Sequence, residues 1–219
     1  MTDERDAQHE HWESVYQRKP RLFGEESSAT AIYAATRFSR GGAGRVLELG
    51  SGHGRDTLHL ASEGFDVLAL DYSPSGLHAI RTAAADAGLG SRITTMAHDV
   101  RRPLPFPDES FDAAYAHLLL CMDLSTAAIL AIAQEVRRVI IPGGVFVYTV
   151  RNTGDAHFGV GLDHGDNIYE TDGYAVHFFD DALIRDVAAG WHLEEIATDE
   201  EGALPRRITR VTQSRPLSD

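Results

Sequence analysis

The residues whose types and spacing point to chemistry lie between Glu48 and Asp71. Gly50, Ser51, Gly52, His53 and Gly54 form a turn with no bulk at alternate positions, which lets backbone amides approach a ligand closely. Glu48 places a carboxylate two residues before the first glycine. A carboxylate there repels a pyrophosphate and suits a cationic ligand. Asp71 follows the glycines by roughly 20 residues and closes an apolar run, a position from which an acid can take both hydroxyls of a ribose. Tyr72 comes next and can lie against an adenine face. A dinucleotide motif, G-x-G-x-x-G, needs its third glycine where Arg55 stands.

These residues need a strand on one side and a helix on the other. Arg45 to Leu49 is a short, mostly apolar run between glycines and reads as a buried strand ending in a tight turn. Leu58, Leu60 and Ala61 carry the chain into a helix that Gly64 stops, and Phe65 to Leu70 is the second strand. Ser73-Pro74-Ser75 opens the next helix with capping chemistry, and that helix runs from Gly76 to Ala87. Arg92–Ala97 and Phe111–Tyr115 are the third and fourth strands. Ile129, Ile132, Val136 and Val139 have helical spacing, Ile140 to Gly144 reads as a turn, and Val145–Val150 is the fifth strand. A helix capped by Asp180 and two closing strands, Trp191–Thr198 and Arg207–Thr212, complete the pattern. Strands alternating with helices predict an α/β fold with a doubly wound, mostly parallel sheet.

Glu48-Leu49-Gly50-Ser51-Gly52-His53-Gly54 is similar to the E/D-x-G-x-G-x-G signature of class I S-adenosylmethionine-dependent methyltransferases. Phe106 to Phe111 and the passage EVRRVIIPGGVFVYTV also resemble that family. The resemblance implies a seven-stranded sheet with a C-terminal antiparallel hairpin. It also implies an N-terminal helical lid over residues 1–39 and a methyltransferase domain over 40–219. Its cofactor is S-adenosylmethionine, released as S-adenosylhomocysteine, and its cofactor contacts are Glu48, Gly50, Ser51, Gly52, Asp71 and Tyr72. Asp99 faces the adenine amine with Val100 beside it. His117, after the fourth strand, faces the cofactor or the methyl acceptor. The ending is similar to the tellurite-resistance branch, whose members act on soft nucleophiles. An acceptor that is a thiol, a metalloid oxyanion, a phenol or an amine fits the resemblance, and His117 or His177 can take a proton from it.

Trp12 and Tyr16 stand at i, i+4 on one helical face, where a lid would meet substrate. The stretch 152–177 is too rich in Gly and Asp for a regular element and reads as a long functional loop. There His157, His164, Tyr169, Tyr174 and His177 can line a pocket with Arg151 at its base. The histidine spacings match no zinc signature, so no metal is expected.

The formal net charge of −13 over 219 residues argues against a nucleic-acid partner, because phosphate binding needs concentrated Lys and Arg. One cysteine, Cys121, excludes an internal disulfide and points to a reducing cytoplasm. The charged start MTDERDAQHEHWE has no apolar core, so no secretory signal and no membrane anchorage are expected. The expected partner is a small-molecule acceptor, and oligomeric state is not readable. Two alternatives stand beside methyl transfer: a nicotinamide-dependent oxidoreductase, and a non-catalytic S-adenosylmethionine-binding regulator.

Overall fold

The computed structural model describes residues 12–15, 18, 24, 26–201 and 206–217. The chain divides into two compact units, the first holding residues 1–102 and 111–115, the second 103–110 and 116–219.

In the first unit, residues 12–15 are helical. Helix α1 (Ala29–Arg40) starts at Ser28, whose hydroxyl accepts from Ala31 N at 3.0 Å. It buries Ala31, Ala34, Ala35 and Phe38, the last ring set edge-on to Phe65. Strand β1 (Arg45–Leu49) leads through the glycine turn to α2 (Arg55–Ser62). Strand β2 (Asp66–Asp71), helix α3 (Pro74–Asp86) and strand β3 (Ile93–Ala97) follow. Ser73 caps α3 by accepting from Gly76 N, and Pro74 fills the first turn, as the Ser-Pro-Ser reading expects. Strand β4 (Phe111–His117) pairs parallel with β1, which pairs parallel with β2, which pairs parallel with β3. Val46, Leu47, Leu49, Val67, Ala69 and Leu70 are buried, and Leu77 and Ile80 of α3 pack with Ala69. Each buried Val, Leu or Ile among them contributes roughly 1.5–3 kcal/mol on leaving water.

In the second unit, α4 (Thr126–Val139) buries Ile129, Ile132, Val136 and Val139, as their spacing predicts. Its Arg138 clamps the proline loop, donating to the carbonyls of Leu104 and Phe106 and pairing with Asp108 and Glu135. Strand β5 (Ile140–Arg151) is longer than expected. The stretch Ile140–Gly144, read as a turn, continues the strand, because Gly143 N donates to Arg215 O and Arg215 N donates to Gly144 O.

The larger correction concerns 152–177. It contains a three-stranded antiparallel sheet of β6 (Leu162–Asp163), β7 (Ile168–Thr171) and β8 (Tyr174–His177). Asp172 and Gly173 sit at φ 55° and 76° and form a two-residue hairpin turn between the paired Thr171 and Tyr174. The glycines and aspartates that suggested irregular chain are the turn residues of a sheet. Helix α5 (Asp181–Val187), capped by Asp180, precedes β9 (His192–Glu201) and β10 (Arg206–Ser214). Strand β10 runs antiparallel to both β5 and β9. The main sheet has seven strands in the order β3-β2-β1-β4-β5-β10-β9, so it is mixed, mostly parallel and closed by an antiparallel pair. Among the described residues no helix is long and apolar enough to cross a membrane.

Candidate active site

The glycine turn is held by backbone. Gly50 N and Ser51 N both donate to Leu70 O, at 2.8 and 3.0 Å, which fastens the end of β1 to the end of β2. Gly52 and Gly54 lie in the left-handed region, at φ 53° and 83°. A side chain on Gly54 would also collide with Ile80 of α3. Gly54 is the N-cap of α2 and supplies no side-chain hydrogen bond, so the first-turn amides face the turn with their partial positive charge. Gly76 completes the cradle from α3: a Cβ there would stand 2.6 Å from Gly52 O.

Three acids surround this backbone, all nearly sealed from solvent: Glu48, Asp56 and Asp71. Asp71 accepts from Gly52 N and Ser73 N, each at 2.8 Å, one on each carboxylate oxygen. Burial raises its carboxyl above the usual range, and the two amides oppose that rise. The lone pairs left over are those a ribose diol would use. Glu48 accepts from the Thr57 hydroxyl at 2.5 Å, and burial pushes its carboxyl up to about 8, with Asp56 and Asp71 adding to the rise. Asp56 accepts from Ser28 N, Ser28 Oγ and Tyr115 OH, each at 2.8 Å. This cluster favours a ligand bearing positive charge. Ser51 Oγ is buried in the same turn and has no hydrogen-bond partner. An orphaned hydroxyl, a cradle too narrow for side chains and a set of buried acids fit S-adenosylmethionine, which carries a sulfonium, an ammonium and a ribose.

Tyr72 is half-buried directly after Asp71. His98 N donates to Asp71 O, which sets Asp99 and Val100 just beyond the ends of β2 and β3. Burial would raise the Asp99 carboxyl, but Arg101, donating to both its oxygens at 2.7 to 3.0 Å, holds it below the usual range. Trp12 is buried, and neighbouring Glu13 accepts from Ser73 Oγ at 2.5 Å, so the helical residues 12–15 reach the start of α3. Tyr16 lies outside the described residues.

The other sequence candidates belong to the second unit. His117 is half-buried at the end of β4, its Nδ1 2.9 Å from Thr149 Oγ1. His177 is buried, with Nδ1 donating to Leu124 O at 2.7 Å. Arg151 is buried and forms a two-bond pair with Asp155 at 2.6 and 2.9 Å, its guanidinium over the Phe178 ring. Tyr169 meets Phe158 edge-on. His164 is exposed and bonded to Glu170 at 2.8 Å. Cys121 is buried, and burial pushes its thiol up to about 11, which suits filler and not a nucleophile. Among the described residues no group of three or more His, Cys, Asp or Glu is placed to hold a metal ion.

Sequence reasoning missed Ser28, Asp56, Tyr115, Gly76 and Thr149. Only Gly76 left a signal, as an isolated glycine inside a helical stretch, which often marks close backbone approach.

Sheet order and glycine turn together define a class of fold, the Rossmann-like α/β type. Residues 46–144 match the family model described as "Methyltransferase domain". The chain is 36% identical over 111 residues to the fatty-acid O-methyltransferase of Mycolicibacterium smegmatis, covering 48% of this chain and 36% of that protein. It spans less than half the length of the curated relatives it matches. Among solved structures, the Burkholderia thailandensis 1,6-didemethyltoxoflavin-N1-methyltransferase, with bound 1,6-didemethyltoxoflavin and S-adenosylhomocysteine, superposes with a TM-score of 0.74 at 17% identity over 96% of this chain and 88% of that one. The [4+2]-cyclase SpnF superposes with a TM-score of 0.75 at 17% identity over 96% of each chain.

Proposed function

We propose that the chain transfers a methyl group from S-adenosylmethionine to a small-molecule nucleophile. The observation that carries this is the trio of buried acids around an amide-lined glycine turn, an arrangement that selects a cation and disfavours a pyrophosphate. The donor supplies a methyl group on a positively charged sulfur. Asp71 holds the ribose, Glu48 and the α2 amides hold the amino-acid end with Ser51, and Tyr72, Asp99 and Val100 receive the adenine. Residues 1–39 act as a lid over a catalytic domain of 40–219, with Trp12 and Tyr16 facing the acceptor. His117 meets the acceptor, and Arg151, His164 and Tyr169 belong to the acceptor's side of the site. Alignment is the main requirement, since holding two reactants in line is worth roughly 7–11 kcal/mol. An acceptor that is already deprotonated needs no base, whereas a neutral one hands its proton to His117 or His177.

Thiols, phenols, amines and metalloid oxyanions form the acceptor set, the last from the resemblance to the tellurite-resistance branch. Carboxylates join it because one relative is named a fatty-acid O-methyltransferase. A tritiated-methyl assay across that panel tests the proposal: label in one acceptor class supports it. Binding of S-adenosylhomocysteine with no label in any class leaves a non-catalytic binder.

One observation favours a second reading. A protein named as a [4+2]-cyclase shares the fold, so the fold also serves chemistry other than methyl transfer. Cofactor that binds, persists unconsumed and accompanies product formation would select that reading. Binding of NADH without S-adenosylhomocysteine would select an oxidoreductase instead.

A further inference from the structure

The three acids around the glycine turn are not equally satisfied. Asp71 takes a backbone amide on each oxygen. Asp56 takes Ser28 N on one oxygen and the hydroxyls of Ser28 and Tyr115 on the other. Glu48 has less: the Thr57 hydroxyl donates to its Oε2 at 2.5 Å. Among the described residues its Oε1 accepts no hydrogen bond, and no arginine, lysine or histidine pairs with it. A buried acid in that state calls for a cation from outside the chain.

Thr57 stands in the first turn of α2 and is sealed from solvent. A threonine within a helix ordinarily bonds back to a carbonyl of its own helix, but this hydroxyl crosses to β1. Glu48 Oε2 is its one acceptor among the described residues, so that oxygen is spent in either charge state. The proton that Glu48 gains or loses is therefore carried on Oε1. The titratable groups that face Glu48 are Asp56 of α2, Asp71 of β2 and Tyr115 of β4, all of them acids, while Arg55 reaches Asp56 at 3.4 Å. We infer that Thr57 is a positioning residue, which pins one Glu48 oxygen inside the protein and presents the other, Oε1, to the ammonium of the donor's amino-acid end.

The identity of that cation rests on the methyl-transfer reading; the pairing of Thr57 with Glu48 does not. On binding, the Oε1 proton passes to solvent and the ammonium, still charged, donates in its place. No covalent bond changes.

Calorimetry on the full chain tests this with two ligands: S-adenosylhomocysteine, and methylthioadenosine, which keeps the nucleoside and lacks the amino-acid end. At pH 7 Thr57→Val should weaken the first by about 10-fold and leave the second unchanged, and Thr57→Ser should restore the wild-type value. Equal losses for both ligands would show a turn that has merely given way, and would overturn the inference. A loss for S-adenosylmethionine that spares S-adenosylhomocysteine would assign Oε1 to the sulfonium and overturn it too. The pH profile is the readout that a structural role would not move. Burial raises the Glu48 carboxyl to about 8 and the Thr57 hydroxyl opposes that rise, so wild-type affinity for S-adenosylhomocysteine should climb with pH and level off near that value. Thr57→Val should still be climbing there, and coincident profiles would count against the role. Where Thr57→Val fails to fold, carbon-13 spectra of the ligand-free wild type decide, with the Glu48 carboxyl assigned by its loss in Glu48→Gln. A midpoint near the ordinary 4.5 overturns the inference. The expected midpoint with no binding of S-adenosylhomocysteine would sink the methyl-transfer reading and leave the Thr57–Glu48 pair intact.

Discussion

Glu48 is an acid whose charge depends on what is beside it. With its carboxyl pushed to about 8 by burial, it is mostly protonated at neutral pH until a cation arrives. The folded-state value lies above the ordinary 4.5, so the folded protein holds the extra proton between those limits. Below that window Glu48 adds no pH dependence to stability. As pH rises through it, stability falls by up to roughly 1.4 kcal/mol per unit. Thermal melts from pH 5 to 8 should therefore decline more steeply for the wild type than for Glu48→Gln, and parallel curves would refute this. The same linkage makes S-adenosylmethionine binding at pH 7 release protons, read as a heat that varies with the buffer's ionisation enthalpy and vanishes in Glu48→Gln. Arg151 carries a separate prediction. Its partner Asp155 has a fully buried side chain that would keep only the amides of His157 and Arg207 and the His157 ring, so Arg151→Met should cost about 1.5–3 kcal/mol in denaturant unfolding. A loss below 1 kcal/mol would free Arg151 for a purely substrate-facing role.

At the scale of elements, the site depends on α3 lying close under the glycine turn. Gly76→Ala would place a methyl 2.6 Å from Gly52 O, and backbone on both sides can yield only by shifting the turn. The expected cost is about 1–3 kcal/mol in stability, together with weaker binding of S-adenosylhomocysteine; unchanged affinity would show that the turn has slack. Local pattern made β1, α2, β2 and the Ser73 cap legible, because each is announced by apolar runs and turn residues within a few positions. Asp71 was legible for the same reason. Contacts between distant positions were not: Ser28 with Asp56 is 28 residues apart and Tyr115 with Asp56 is 59, and nothing local marks them. The sheet of β6, β7 and β8 is a different kind of miss. Asp172-Gly173 between alternating residues is a strong hairpin signal, and composition over the whole stretch hid it.

For the molecule as a whole, the acidic balance and the buried acids at the glycine turn act in the same sense, toward cations and against polyanions. The charge balance was readable from composition, whereas the enclosure of Glu48, Asp56 and Asp71 depended on the fold. Both bear on one central claim, that a sulfonium-bearing nucleoside is held at the ends of β1 and β2 with Asp71 on its ribose. Isothermal titration of S-adenosylhomocysteine into the wild type and Asp71→Ala tests it most directly. Losing two charge-assisted hydrogen bonds, at about 1.5–3 kcal/mol each, should weaken binding by roughly 10²–10⁴-fold in a variant that still unfolds cooperatively. Equal affinity in a folded Asp71→Ala, or no binding to the wild type, would contradict the account.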